Sequence, residues 1–133
     1  MNQKIVIIDD DRITLEILKK HLSQSDFQVF YAQDGQSGWD LVRAEKPDIV
    51  ITDLLLPKIH GMDLCRKIKE DNDLKGTKVI LMTATYKAPA FRLEIAKSGA
   101  EEFIEKPLCT SDLMKKIYKL FLEIAEEESS SSA

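Results

Sequence analysis

Long apolar runs are missing from this sequence. Nothing in its 133 residues approaches the roughly twenty consecutive apolar residues of a membrane span. No charged-then-apolar leader opens at Met1, so a cytoplasmic protein without membrane attachment is expected. Cysteine is scarce. Cys65 and Cys109 stand far apart in no C-x-x-C pattern, which argues for two reduced thiols over a disulfide framework or a thiolate metal site. Basic excess is missing too: with a net charge of -4 and no basic stripe, direct nucleic-acid binding by this chain is not expected. No segment repeats. The length suits one domain with a proper core and is too short for two.

What remains is a regular alternation. Apolar runs occupy Lys4–Asp9, Gln28–Ala32, Asp48–Asp53, Lys78–Thr83 and Glu101–Lys106. The first, third and fourth are almost continuous in Ile, Val and Leu, as central strands covered on both faces require. The second and fifth carry more polar residues and are expected at the sheet edges. Helical stripes lie between them. Ile13, Ile17, Leu18 and Leu22 mark a helix from Arg12 to about Gln24, and Trp39, Leu41 and Val42 one that ends near Lys46, before Pro47. Leu64, Cys65 and Ile68 mark a third after Gly61. Pro89 suits the first turn of a fourth and Gly99 its stop. Thr110 or Ser111 caps a fifth through Leu113, Ile117, Leu120 and Ile124. This alternation predicts an α/β fold with a parallel sheet between two helical layers. A domain over residues 1–125 is expected, followed by a disordered acidic and serine-rich tail or linker start over 126–133.

In such a sheet, ligands bind at the carboxyl ends of the strands. Reading those ends gives Asp9, Asp10 and Asp11, then Asp53, Thr83 and Lys106-Pro107. Each alone is ordinary: Asp11 could simply cap the helix that follows, Thr83 could bond the backbone, and Lys106 could be solvated. Together they gather acids, a hydroxyl and an ammonium at one edge. Clustered carboxylates need a cation, and Mg²⁺ (or Mn²⁺) is the hard ion that oxygen ligands suit. Neither His21 nor His60 stands with these acids, which disfavours zinc. A metal, a free carboxylate at Asp53, a hydroxyl and a lysine suit phosphoryl transfer through an acyl phosphate.

The residues in "VIIDDDR", "TDLLLPKIHG", "LMTA" and "EKP", in that order, are similar to the receiver domain of two-component response regulators, the CheY-like family. The resemblance runs from about Lys4 to Ile124. It implies a flavodoxin-like (βα)5 sandwich with strand order 2-1-3-4-5. It also implies that Asp53 is the phosphoacceptor and that Asp9, Asp10, Asp53 and the Leu55 backbone carbonyl hold the metal. Asp10 would do so directly and Asp9 through water, with Asp11 outside the first shell. Thr83 and Phe103 become the switch residues, Lys106 pairs with Asp53 and then its phosphate, and Pro107 is a candidate cis peptide.

The implied partner is a sensor histidine kinase or phosphotransfer protein. The implied output is the face of the fourth helix, fifth strand and last helix, with a homodimer as one use of it. The protein is then not an enzyme, except toward its own phosphorylation and autodephosphorylation. Met114, Tyr118, Phe121 and Ala125 on the last helix suit either the core or that face. Arg92, Lys97, Lys115, Lys116 and Lys119 stand against Glu94, Glu101, Glu102 and Glu123 as candidate inter-subunit pairs. His60 departs from the commoner acid or Asn before Gly61 and reads as an exposed loop residue. Leu55 and Thr85 flank the path of the hydrolytic water, and an apolar Leu55 is expected to slow it. The alternative is a small Mg²⁺-dependent phosphohydrolase acting on an external substrate. The haloacid-dehalogenase pattern D-x-D-x-T, however, lacks its second acid in "DLLLP".

Overall fold

Strands and helices alternate along the chain, as the patterning requires. The structure is a computed structural model that describes residues 3–84 and 89–131, the side chains of 89–92 and 130–131 excepted. The order is β1 (Lys4–Ile8), α1 (Arg12–Leu22), β2 (Gln28–Ala32), α2 (Gly35–Glu45), β3 (Ile49–Asp53), α3 (Gly61–Glu70), β4 (Lys78–Thr83), α4 (Pro89–Lys97), β5 (Glu102–Glu105) and α5 (Thr110–Ser131). One 3₁₀ turn, Asn72–Leu74, joins α3 to β4. The sheet is parallel throughout in the order β2-β1-β3-β4-β5, so the flavodoxin-like topology and both edge assignments hold.

Both faces of the central strands are covered, which is why their sequences show no polar alternation. Ile5, Ile7, Ile49, Ile51, Ile80 and Met82 pack with Leu15 and Leu18 of α1 and Leu113 and Ile117 of α5. Val6, Ile8, Val50, Val79 and Leu81 face the other way, onto Val42 of α2 and Leu64 and Ile68 of α3.

Helix α1 departs from its expected phase. Ile13 and Ile17 are 71% and 44% exposed, while Thr14, Leu15, Leu18 and Leu22 are buried. Both sets fit a period of 3.6. The three leucines reach the core, and Asp11 fixes the first turn by accepting from the Ile13 N–H (3.1 Å) and the Thr14 hydroxyl (2.7 Å).

Helix α5 also differs. It continues through Ser131, past the boundary expected at Ala125. The expected disorder of residues 126–131 is therefore replaced by helix, while Ser132 and Ala133 lie outside the described residues. Glu127 reaches back to the largely buried ammonium of Lys78 at 2.6 Å, a tertiary tie that composition cannot reveal.

Four of the mixed charges beside α5 are used within the chain. Glu102 accepts from Lys116 (3.1 Å) and Lys119 (3.0 Å), and Glu101 pairs with Lys69. The Arg92 side chain lies outside the described residues. Phe121 belongs to the core, stacked on Phe27 at 5.0 Å, whereas Tyr118 is half exposed. Among the described residues no helix is long and apolar enough to cross a membrane.

Candidate functional site

Strand order reverses at β1, which lies between β2 and β3, so the loops after β1 and β3 part there and leave a crevice. The register brings the strand ends to one level: Ile8 pairs with Thr52, Asp53 with Met82, and Thr83 with Glu105. Asp9 and Asp10 follow β1, Asp53 closes β3, Thr83 closes β4, and Lys106 follows β5. Residues scattered over the whole sequence thus meet at one edge.

The carboxylates of Asp9, Asp10 and Asp53 place ligand oxygens within 4.8 Å of one another. The Lys106 ammonium donates to Asp9 Oδ2 at 2.7 Å and to Asp53 Oδ2 at 3.2 Å. The family resemblance implies the pairing of Lys106 with Asp53; it does not imply the shorter bond to Asp9. That bond requires the buried position of Asp9, which is fully inaccessible to solvent. Lys106 is itself anchored, its N–H donating to the Thr83 carbonyl at 2.8 Å, and its peptide bond to Pro107 is cis.

Burial pushes the Asp9 carboxyl up from its ordinary range, outweighing the hydrogen bonds from Lys106 and from the Asp11 N–H (2.9 Å). Burial alone would lower Lys106. The hydrogen bond to Asp9 and the charges of Asp9 and Asp53 override it and hold the ammonium above the usual lysine value. Lys106 is therefore a fixed cation. Three carboxylates against one ammonium leave two formal negative charges at this edge. The donors are all hard oxygens, so the chemistry of the set fits a hard divalent ion.

Asp11 stands apart from this group, committed to the cap of α1. Thr83 is buried at the end of β4, and Phe103 on β5 is 41% exposed. Leu55 is exposed, between the buried Leu54 and Leu56. The loop that carries it closes through the Gly61 N–H, which donates to the Leu54 carbonyl at 2.9 Å. A Cβ on Gly61 would lie 2.2 Å from the Asp53 carbonyl oxygen, so a side chain there would press on the strand end. His60 is exposed at the N-cap of α3 and makes no side-chain cap bond, in keeping with a loop role. Thr85 lies outside the described residues. Cys65 is buried and Cys109 exposed, both as free thiols.

Known proteins share this architecture. The family pattern "Response regulator receiver domain" matches residues 5–118. A response regulator named MprA from Mycolicibacterium vanbaalenii is 29% identical over 120 residues, covering 90% of this chain and 51% of that protein. The chain thus spans about half the length of the curated relatives it matches. Among solved structures, a CheY-like receiver domain protein from Methanospirillum hungatei superposes with a TM-score of 0.87 at 27% identity, over 96% of this chain and 99% of that one. The signal receiver domain of a histidine kinase from Syntrophus aciditrophicus gives 0.81 at 30% identity, over 89% of each chain.

Proposed function

The chain belongs to the response regulator receiver domain family of two-component signal transduction, and from that premise we propose that Asp53 is its phosphoacceptor, supplied by a histidine kinase or phosphotransfer protein. The observation that carries the reading is the Lys106 ammonium held against both Asp9 and Asp53 in an acidic crevice that keeps excess negative charge. Asp9, Asp10, Asp53 and the Leu55 carbonyl would hold Mg²⁺ or Mn²⁺, which when bound neutralises carboxylate and phosphoryl oxygens together.

An Asp53 oxygen attacks the phosphorus of a phosphohistidine. The P–N bond breaks, and the imidazole leaves with the electron pair and takes up a proton. Lys106 supplies fixed positive charge opposite the transferring group, the kind of pre-placed electrostatics on which phosphoryl transfer depends. The acyl phosphate carries close to two negative charges and strong acceptor oxygens. Thr83 is drawn toward it as a hydroxyl donor, and Phe103 leaves its exposed position for the space that opens. The face of α4, β5 and α5 then changes its packing, a population shift biased by a local charge. That face carries the exposed Leu93 of α4 and Phe103 of β5, apolar surface suited to an output partner or a second copy.

Intact-mass analysis after incubation with acetyl phosphate and Mg²⁺ tests the reading. One phosphate per chain is expected, with complete loss in Asp53→Asn. An unchanged wild-type mass, or an adduct that survives in Asp53→Asn, contradicts it. Multiple-turnover release of phosphate from an unrelated ester would instead favour a hydrolase.

A further inference from the structure

The loop between β3 and α3 contains a turn that local sequence does not favour. Lys58 has φ of 73°, and the Ile59 N–H donates to the Pro57 carbonyl two residues back at 2.9 Å. Positive φ combined with that bond marks the rarer, strained kind of γ-turn, and a non-glycine residue adopts it only where surrounding contacts enforce it. The enforcing contacts come from the start of α2. The Gly35 N–H donates to the same Pro57 carbonyl at 3.0 Å, and the Lys58 ammonium lies 4.0 Å from Asp34 Oδ2. Asp34 is fixed in turn as the cap of α2, accepting from the Ser37 N–H at 2.7 Å. The fit leaves no room: a Cβ on Gly35 would lie 2.0 Å from the Ile59 carbonyl oxygen and 2.6 Å from Ile59 Cβ.

We propose that Gly35, at the start of α2, is a positioning residue for the phosphoacceptor site: it clamps the β3–α3 loop through Pro57 and Ile59, and so sets where the Leu55 carbonyl stands beside Asp53. The inference rests on the metal-dependent reading of that site given above. Gly35 touches none of the reacting groups and acts only through the loop. Its effect belongs to metal affinity and not to the capacity to be phosphorylated.

Calorimetric titration of Mn²⁺ into unphosphorylated protein tests the clamp. Gly35→Ala is expected to weaken the affinity about tenfold or more, as loss of a supporting contact around a metal site does. Phosphate uptake should recover at saturating metal. Gly38→Ala is the matched control: on the same helix, its Cβ would press 2.4 Å from Ile8 Cδ1, in the core and away from the loop. Its affinity should stay within about twofold of wild type. Equal affinity in wild type and Gly35→Ala, an equal loss in both variants, or no saturable Mn²⁺ binding by the wild type overturns the proposal.

Should Gly35→Ala fail to fold, the wild type still decides. Its Gly35 amide resonance is expected to resist exchange and to shift with added Mg²⁺ alongside the amides of residues 54–56, 58 and 59, and an unmoved Gly35 amide overturns the clamp. A wild type that binds metal but takes no phosphate refutes the phosphoacceptor reading alone, and the titration then judges the clamp by itself.

Discussion

The two ends of the sheet are both rich in charge, and they treat it differently. At the amino end, charges find individual partners. Lys4 pairs with Glu45 at 3.4 Å, Asp48 accepts from the Lys4 N–H at 2.9 Å, Lys78 pairs with Glu127 at 2.6 Å, and Glu102 at the start of β5 accepts from Lys116 and Lys119. At the carboxyl end, Asp9 and Asp53 share one lysine, and the Asp10 carboxylate clusters with both. Matched charges serve the fold. Unmatched charges of one sign, gathered from separate strands and partly buried, raise the energy of the free protein and suit a cation as a ligand.

Removing the shared lysine should give the largest effect. In Lys106→Ala, Asp9 keeps its buried carboxylate without its 2.7 Å partner. A stability loss of about 2 kcal/mol is expected in urea unfolding, less than for a fully buried pair because part of Lys106 reaches solvent. Phosphate uptake should fall about a hundredfold, the usual consequence of losing a pre-placed charge at a reacting group. An unaltered urea midpoint would place Asp9 and Lys106 among the ordinary pairs of the amino end.

Reducing the crowding should act in the opposite direction. Asp10→Asn removes one of the three mutually repelling carboxylates, so the metal-free protein is expected to melt about 2–4 °C higher. Its metal affinity should drop about tenfold. A lower melting temperature in calorimetry would mean that these acids do not strain the free protein.

The smallest effect belongs to the amino end. Burial would raise the Glu102 carboxyl, but hydrogen bonds from Lys119 and Lys116 outweigh it and hold the group below its ordinary 4.5. A carboxyl depressed by folding stabilises above its unfolded pKa, and that contribution fades as pH falls through the folded value. Glu102→Gln should therefore cost at most about 1 kcal/mol near neutral pH, since solvent screens the lysines. The gap to wild type should close as pH falls below 4.5. A gap that widens in acid reverses the sign argument.

Much of this was legible in the sequence. Continuous apolar runs identified β1, β3 and β4 because burial on both faces leaves no polar alternation, and the strand-end rule led directly to Asp9, Asp10, Asp53, Thr83 and Lys106. The misses are tertiary. Helix α1 offers two apolar stripes of helical period, and only packing chooses Leu15 over Ile13. The composition of residues 126–131 reads as tail until Lys78 is found beneath Glu127. The bond from Lys106 to Asp9 joins residues that no local pattern connects. The approach of Ile59 that makes a glycine necessary at position 35 appears only in three dimensions.

Under the proposed function, the unmatched carboxyl end receives a phosphoryl group on Asp53 alone. Borohydride reduction of the acetyl-phosphate-treated protein, followed by peptide mass mapping, tests it most directly, because an aspartyl phosphate is reduced to homoserine where it formed. Homoserine at position 53 alone is the expected result. Homoserine at position 9 or 10, or none in protein that has gained phosphate, would contradict it.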